Sequence, residues 1–312
     1  MNRAFIFPGQ GSQIVGMGKE FYDNFRVARE VFEILEDILQ RKLNHIIFNG
    51  PSSDLTLTTN AQPALMAVSI AILNVIKQQT NKQLNQLCSY VAGHSLGEYT
   101  ALCGVESINL PTTIKLLATR SQSMYDAYTE EGSMAACIGV DLPILEEIVA
   151  KVHHIGVCQI ANDNIEGQIV ISGESKPIAQ AIINLKDLGY KAIKLNVSSP
   201  FHCDLMKRAE DIMADTLKEI PINIPTVPII QNFTAQIVTN PIEIKQNLVQ
   251  QICGRVRWRQ TIDELAKHQI EEIVEIGSSQ VLTSMLKKTN HKFKLTNISN
   301  ITELEEFLPT IC

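Results

Sequence analysis

The chain has 312 residues, of which 45% are hydrophobic and 19% charged, as in a globular protein with one large domain, or a large domain and a smaller insert. The formal net charge is −6 and the sequence pI is near 5.7. Lys and Arg form no long block, and the overall field would repel a phosphate backbone, so the composition argues against nucleic-acid binding.

Cysteine usage and hydrophobic runs indicate the compartment. The seven cysteines, the last of them Cys312, include no Cys-x-x-Cys pair, so we predict reduced thiols and neither a disulfide frame nor a metal site. The apolar run at the N-terminus is too short for a signal peptide. No stretch approaches the roughly 18 uncharged apolar residues of a membrane span. We therefore expect a cytoplasmic protein that does not bind membranes.

The first predicted element is a buried strand, Ala4-Phe5-Ile6-Phe7, which stops at a loop from Pro8 to Gln13. Two glycines in that loop indicate a close backbone approach to another group. Apolar periodicity then predicts a helix from Phe21 to Leu39 and a second from Ala61 to Gln79, with a polar loop over 49–60 between them.

The next stretch has the pattern of a nucleophile elbow. A strand-like run from Leu87 to Ala92 leads into Gly93-His94-Ser95-Leu96-Gly97, and a helix-like run to Cys103 follows. Gly-x-Ser-x-Gly between a strand and a helix lifts the serine hydroxyl clear of the sheet, above a helix N-terminus that favours negative charge. The alternative is an ordinary strand-turn-helix with an incidental serine.

Beyond the elbow, a helix is predicted from Pro111 to Tyr128, with Arg120 in its middle. From Gly132 the pattern changes to β-α-β-β-α-β, which predicts a ferredoxin-like subdomain over residues 131–198. The flanking segments, 1–130 and 199–312, alternate buried strands with helices, as a parallel α/β sheet does.

The second part of the core begins with Pro200-Phe201-His202 and a helix from about Asp204 to Ile220. Strands are predicted at Val227–Asn232 and Ile273–Ile276, the latter stopped by Gly277. The tail from Asn290 onward is polar, and we predict only marginal structure there.

A serine nucleophile needs a base and an oxyanion hole. Of the seven histidines, His202 has the best context, because Pro200 and Phe201 fix its backbone; the alternative is a structural loop histidine. His94 adjoins Ser95, but adjacent side chains on a sharp turn point apart. The N–H groups of Leu96 and Gln10 are the expected oxyanion donors. The alternative for the Gln10 loop, a phosphate-binding loop, lacks the third glycine and the Lys-Ser/Thr of such motifs.

Arg120 stands among apolar residues, and a buried arginine requires a partner. The partner could be a protein Asp or Glu, or a carboxylate on a substrate held by two charge-assisted hydrogen bonds. The residues alone leave both open.

Five motifs occur in order: Phe7-Pro8-Gly9-Gln10-Gly11-Ser12-Gln13, Gly93-His94-Ser95-Leu96-Gly97-Glu98-Tyr99, Arg120 with Met124, Gly132-Ser133-Met134-Ala135-Ala136 and Pro200-Phe201-His202. Together they resemble the malonyl-CoA:acyl carrier protein transacylase family, of the free-standing bacterial type, from Phe5 to about Lys288. That resemblance implies an α/β-hydrolase-like parallel-sheet core with an inserted ferredoxin-like subdomain. One departure is the family's late Gly-Pro-Gly turn, which is Gly277-Ser278-Ser279 here.

The resemblance also implies roles for individual residues. Ser95 would be acylated and His202 would be its base, oriented by backbone carbonyls without a third acid. Gln10 and Leu96 would form the oxyanion hole. The substrate-binding residues would be Arg120, Met124 and Gln251.

The implied reaction transfers a malonyl group from malonyl-CoA to the phosphopantetheine thiol of an acyl carrier protein, for fatty-acid or polyketide synthesis, in a monomer without cofactor or metal. Because such carriers are acidic, a basic rim is expected, with Lys207, Arg208, Arg255, Arg257, Lys287 and Lys288 as candidates. The rivals are a serine hydrolase, which uses water as acceptor, and a non-enzymatic acyl-binding protein.

Overall fold

A computed structural model describes residues 2–128, 130–197 and 199–311. Ser198, the predicted end of the insert, and Cys312 lie outside these residues. The described strands are β1 (Arg3–Phe7), β2 (Tyr90–Gly93), β3 (Gly132–Ile138), β4 (Cys158–Ile165), β5 (Gln168–Glu174), β6 (Lys191–Lys194), β7 (Ile229–Ile230), β8 (Ile237–Val238), β9 (Glu272–Ile276) and β10 (Lys294–Ile298).

The described helices are α1 (Lys19–Asn24), α2 (Arg26–Leu39), α3 (Leu43–Asn49), α4 (Ser52–Thr56), α5 (Thr58–Thr80), α6 (Gly97–Gly104), α7 (Leu110–Asp126), α8 (Leu142–Val152), α9 (Ser175–Asp187), α10 (Lys207–Lys218), α11 (Pro241–Gln250), α12 (Trp258–Lys267), α13 (Val281–Leu286) and α14 (Ile301–Phe307). Short 3₁₀ turns occur at Leu84–Gln86, Asp204–Met206 and Leu308–Thr310.

The core is a mixed α/β unit built on a six-stranded sheet of order β10-β9-β1-β2-β7-β8. All neighbouring strands are parallel except β8, which returns antiparallel to β7. The register pairs Phe7 with Gly93, so β1 and β2 end at the same edge of the sheet. The loops after these strands meet there, and ligands of open parallel sheets bind at this edge.

Helix α5 lies at the centre of the core. It is long and apolar enough to span a membrane, with a mean hydropathy of 1.4 over its best window, which corrects the expectation that no stretch approaches that composition. Because 89% of that window is buried inside the fold, the apolar surface is explained by core packing. Pro63 lies inside the helix and has no N–H to donate to Thr59 O, but that carbonyl accepts from Arg41 Nη2 instead at 2.5 Å.

Residues 132–194 form a second, separate sheet of order β4-β5-β3-β6, in which all pairs are antiparallel. Helices α8 and α9 bury residues such as Leu145, Ile178 and Leu185 in a cluster with strand residues including Ile171. This sheet therefore has its own small hydrophobic core.

The second sheet is attached to the core along β4. Asp163 N–H donates to Val256 O at 2.9 Å, and Val256 N–H donates to Ala161 O at 2.8 Å. The Arg259 guanidinium donates to both carboxylate oxygens of Asp163, at 3.0 and 2.7 Å. Asp163 is buried, so this bidentate pair fixes one wall of the cleft between the two sheets.

Several predicted boundaries need correction. The predicted helix Phe21–Leu39 is interrupted at Phe25, whose φ of −127° is extended. The predicted polar loop over 49–60 contains α4 and the start of α5. The tail after Asn290 is ordered into β10 and α14. An edge strand with exposed polar residues lacks a strong apolar pattern, and β10 is held by its pairing with β9 and by Lys294, 2.8 Å from Glu272.

Candidate active site

Ser95 lies at the turn between β2 and α6. Its φ of 54° is in the left-handed region, which costs a residue with a Cβ about 1 kcal/mol or more. A Cβ on Gly93 would lie 1.9 Å from Gly97 O, and one on Gly97 would lie 2.3 Å from Phe7 O. The two glycines of the motif are therefore steric requirements of the turn.

Asn232 holds this strained turn in place. Its Oδ1 accepts the Ser95 N–H at 2.6 Å, and its Nδ2 donates to Gly93 O at 2.7 Å. The side chain is fully buried at the end of β7. Sequence reasoning placed a strand here but missed this residue. The available signal was a polar residue at the carboxyl end of the predicted strand Val227–Asn232, two residues after β7 ends.

His202 is positioned against the serine. Its Nε2 is 2.8 Å from Ser95 Oγ, and its Nδ1 is 2.8 Å from Gln251 O. A carbonyl oxygen can only accept, so Nδ1 carries the hydrogen and Nε2 is free to take the hydroxyl proton. Burial and the charge of Arg120 lower the pKa of His202 to about 3. The ring is neutral at physiological pH, as a base must be.

Arg120 is almost fully buried in the middle of α7. Its Nη1 donates to Gln62 Oε1 at 2.6 Å, and its Nη2 donates to Gln251 Oε1 at 2.8 Å and to Ser95 Oγ at 3.1 Å. In the part of the chain that the structure describes, each of these partners is neutral, so the alternative of a protein ion pair is not found. Burial lowers the pKa of Arg120 from its ordinary value. Arg120 is therefore a desolvated cation beside the serine, and no described carboxylate bonds to it.

Gln251 connects these groups. Its backbone oxygen accepts from His202, and its side-chain Oε1 accepts from Arg120. Its Nε2 donates to Ser95 O at 3.0 Å and to Glu98 Oε2 at 3.1 Å. One residue therefore sets the positions of the serine, the histidine and the arginine together.

Gln10 and Leu96 line the same cavity as Ser95. Neither backbone N–H donates to any group in residues 2–128, 130–197 and 199–311, so both amides are available to a ligand. The loop of Gln10 lies against the elbow, since a Cβ on Gly9 would be 2.6 Å from His94 O. Thr58 Oγ1 donates to the Gln10 side chain at 2.9 Å and holds the loop from the other side.

The departure at Gly277-Ser278-Ser279 also contacts this loop. A Cβ on Gly277 would lie 2.5 Å from Pro8 Cγ, so the glycine is sterically required. Ser278 Oγ donates to Ser12 O at 2.7 Å. The changed sequence therefore still supports the Gln10 loop.

The cavity has a volume of about 340 Å³ and lies between the core and the second sheet. Met124 is part of its wall, with Met134 and Asn164 among the residues that face it from the other sheet. His94 Nε2 donates across the cleft to Asn164 Oδ1 at 2.8 Å. His94 therefore joins the two sheets, and His202 is the histidine that contacts the Ser95 hydroxyl.

Two further buried residues were not predicted from the sequence. Gln62 holds Arg120 and donates to Thr58 Oγ1 at 2.9 Å, so it links the arginine to the Gln10 loop. Glu98 accepts hydrogen bonds at the base of the elbow. In both cases the signal was a polar residue within an otherwise apolar helical turn.

A neutral imidazole on a serine hydroxyl, two open amide donors and a helix N-terminus together suit acyl transfer to and from serine. Residues 4–307 match a family model described as the acyl transferase domain. The fold and the site therefore define the class of protein as an acyl transferase.

Comparison with individual proteins narrows the class. A malonyl CoA-acyl carrier protein transacylase of Bacillus subtilis (strain 168) is 38% identical over 311 residues, which is 99% of this chain and 96% of that protein. A crystal structure of an acyl-carrier-protein-S-malonyltransferase from Bartonella henselae is 45% identical with a TM-score of 0.97, covering 100% of this chain and 99% of its own. A solved complex of a type II PKS acyl-carrier protein with its malonyl-transacylase matches at 33% identity and a TM-score of 0.95, covering 99% of this chain and 100% of that one. The chain belongs to the malonyl CoA-acyl carrier protein transacylase family.

The low pKa of His202 predicts the pH dependence of serine acylation. The unfolded histidine titrates near 6.5 and the folded one near 3, so the base stays neutral as the pH falls from 8 to 5. The kcat/KM for acylation should therefore be flat over that range, with no inflection near 6.5, in rapid-quench measurements of the acyl-enzyme. Over the same range His202 binds a proton only in the unfolded state, so its contribution to the free energy of unfolding falls with falling pH. A loss of acylation centred near pH 6.5 would contradict this assignment.

Proposed function

We propose that this chain transfers the malonyl group of malonyl-CoA to the phosphopantetheine thiol of an acyl carrier protein, through a malonyl ester on Ser95. The observation that carries this proposal is the buried Arg120, which lies 3.1 Å from Ser95 Oγ and has no carboxylate partner among the described residues. A malonyl group would bring that carboxylate. The names of the relatives, which act on malonyl-CoA and acyl carrier protein, support the same substrates.

In the first half-reaction, His202 Nε2 takes the Ser95 proton as Oγ bonds to the thioester carbonyl carbon. The carbonyl oxygen becomes an oxyanion, which accepts from the N–H groups of Gln10 and Leu96. As the tetrahedral intermediate collapses, the C–S bond breaks. The CoA sulfur leaves with the proton from His202, and the malonyl ester of Ser95 remains.

The second half-reaction reverses these steps with a new thiol. The carrier's phosphopantetheine S–H gives its proton to His202 Nε2 as the sulfur bonds to the ester carbon. The C–O bond to Ser95 breaks, and Oγ takes the proton back. A thiol can cleave a serine ester by attacking its carbonyl carbon. The reaction therefore needs only the side chains and backbone amides named above and the two substrates, and we propose no cofactor.

Arg120 explains the selection of the acyl group. Its guanidinium can exchange contacts with Gln62 and Ser95 for a bidentate contact with the malonyl carboxylate. An acetyl group would leave the charge buried and unpaired, which costs about 3 kcal/mol or more in such a site. Met124 and Gln251 complete the acyl pocket in this proposal.

We also propose the finer architecture that the family resemblance implies. Residues 1–130 and 199–312 would form an α/β-hydrolase-like core, and residues 131–198 a ferredoxin-like insert. The ferredoxin-like insert is supported by its antiparallel strand order, β4-β5-β3-β6, and by its two helices, which give the chain order β-α-β-β-α-β.

Two of the six basic residues expected to contact an acidic carrier are paired with carboxylates of the chain itself. Lys207 pairs with Glu210 and Asp211, and Arg255 pairs with Glu146. The other candidates differ: Arg208 donates weakly to Asp126 O, Arg257 donates to Phe233 O, and Lys287 and Lys288 form no ion pair with a described residue. The two lysines are exposed at the end of α13, a helix that lines the cavity. We propose this end of α13 as the carrier contact.

Intact-mass measurement after incubation with malonyl-CoA tests the mechanism. The chain should gain about 86 Da, the mass of one malonyl ester, and lose it when a carrier protein bearing a free phosphopantetheine thiol is added. Ser95→Ala should gain nothing, whereas Ser89→Ala, at the other end of β2, should behave like the wild type. An adduct that survives in Ser95→Ala would refute the nucleophile, and hydrolysis that outpaces transfer at saturating carrier would indicate a hydrolase.

Arg120→Ala tests the carboxylate contact. We expect kcat/KM for malonyl transfer to fall about 150- to 5,000-fold, because removal of one partner of a buried pair costs about 3–5 kcal/mol. Acetyl transfer should fall far less, since an acetyl group has no charge to pair. The exposed Arg26→Ala serves as the control. Equal losses for the two acyl groups would assign Arg120 a purely structural role.

The double variant Lys287→Ala/Lys288→Ala tests the carrier contact. The KM for the carrier should rise about three- to tenfold at low salt, and its salt dependence should flatten, while kcat and the KM for malonyl-CoA stay unchanged. Lys151→Ala, an exposed lysine of α8, is the control. An unchanged KM for the carrier would exclude this end of α13.

A further inference from the structure

Glu98 is a fully buried carboxylate in the first turn of α6, directly beneath the elbow. Its Oε1 accepts from Gln231 Nε2 at 2.9 Å. Its Oε2 accepts from Asn232 N at 2.7 Å and from Gln251 Nε2 at 3.1 Å. The proposed acyl transfer assigns Glu98 no part, yet it forms three hydrogen bonds in a region where burial of a charge is costly.

Two of these donors are the residues that hold the reacting groups. The Asn232 side chain accepts from the Ser95 N–H and donates to the Gly93 carbonyl. Gln251 accepts from His202 with its backbone oxygen and from Arg120 with its side-chain oxygen. Glu98 is therefore one residue removed from the serine, the histidine and the arginine.

Glu98, Arg120 and the Ser95 carbonyl together fix which way the Gln251 amide faces. A carboxylate accepts only, so it binds the NH₂ end of the amide and directs the oxygen end toward Arg120. With the amide reversed, the NH₂ group would face the guanidinium and the oxygen would face Ser95 O. Both contacts would then be repulsive.

Glu98 also places a negative charge near Arg120 without contacting it. The Gln251 amide lies between them, with one end on each group. A direct ion pair would occupy the guanidinium that a substrate carboxylate needs. The separated arrangement offsets part of the buried positive charge and leaves the guanidinium bonded to neutral groups, which a ligand carboxylate can replace.

We infer that Glu98 is a positioning residue for acyl transfer, which acts through Asn232 and Gln251 to hold Ser95, His202 and Arg120 in reactive geometry. This inference rests on the proposed function for the reaction that Glu98 supports, and on the hydrogen bonds above for its placement beneath the reacting groups. An amide at this position would present an NH₂ group to at least one of three donors. In one orientation of that amide the NH₂ group would face Gln231, which is held by its own bonds to Ile244 O and Asn247. In the other orientation it would face both the Asn232 N–H and Gln251 Nε2.

The test uses Glu98→Gln, with Glu272→Gln as a matched control. Glu272 is also fully buried and loses the same charge, but it lies at the start of β9, where it pairs with Arg3 and Lys294. The probe is 4-nitrophenyl acetate, a small neutral ester that reports the reactivity of Ser95 without a malonyl group. Acylation of the folded proteins is followed by 4-nitrophenolate release and intact mass, and unfolding by denaturant titration.

Glu98→Gln should lower the rate constant for Ser95 acylation by the ester at least tenfold, since small displacements of reacting groups have effects of about that size or larger. Glu272→Gln should lose stability but keep the rate within about twofold of wild type. If Glu98→Gln does not fold, Glu98→Asp, which keeps the charge with a shorter reach, should lower the rate about threefold. A rate within twofold of wild type in whichever variant folds, or an equal loss in Glu272→Gln, would overturn the inference. Failure of malonyl-CoA to acylate the wild type would count against the proposed function alone, because the ester needs no malonyl group.

Discussion

The whole site depends on how closely the backbone approaches itself at the elbow. Gly93 and Gly97 allow β2 and α6 to pass at a distance that no side chain would permit, and Gly97 lies against the carbonyl of Phe7 at the end of β1. Gly9 in turn lies against His94 O. Three glycines, at the end of β2, at the start of α6 and in the loop after β1, thus bring the serine and the Gln10 loop to the same point. The left-handed Ser95 is the cost of this compression, and Asn232 stabilises it.

The chemistry of the site follows from a shortage of carboxylates. In the described residues, the histidine is oriented by a backbone carbonyl and the arginine by two glutamines. Amides and carbonyls fix geometry without satisfying the charge of Arg120. A desolvated cation next to the nucleophile attracts an anionic acyl group, and it also disfavours protonation of His202. One positive charge therefore contributes both to selection and to the availability of the base.

The sequence predicted those features that are encoded locally. Strand-turn-helix patterning located Ser95, and the change of periodicity after Gly132 located the second sheet. Gln10 was predicted from its glycine-containing loop after the first strand, whereas Met124 and Gln251 entered through the family resemblance, because no periodicity distinguishes them. Asn232 and Glu98 were missed for a physical reason. Their importance lies in contacts 137 and 153 residues away along the chain, and a single sequence does not contain such pairings.

The tail after Asn290 was underestimated for a related reason. Its strand is held by pairing with β9 and by a charge at the sheet edge, whereas its own residues are mostly half-exposed. The apolar content of its own residues does not predict β10, because this strand is stabilised by its hydrogen bonds to β9. The split of the first predicted helix at Phe25 is a similar case, since apolar periodicity continues across a break that the backbone makes.

The spacing of the site along the chain has a consequence for synthesis. Ser95 precedes its base by 107 residues and the glutamine that orients that base by 156. On the ribosome, Ser95 therefore emerges before His202, the histidine that contacts its hydroxyl, and before Gln251, whose carbonyl orients that histidine. The nucleophile acquires an oriented base only when both residues have been translated and packed against the elbow.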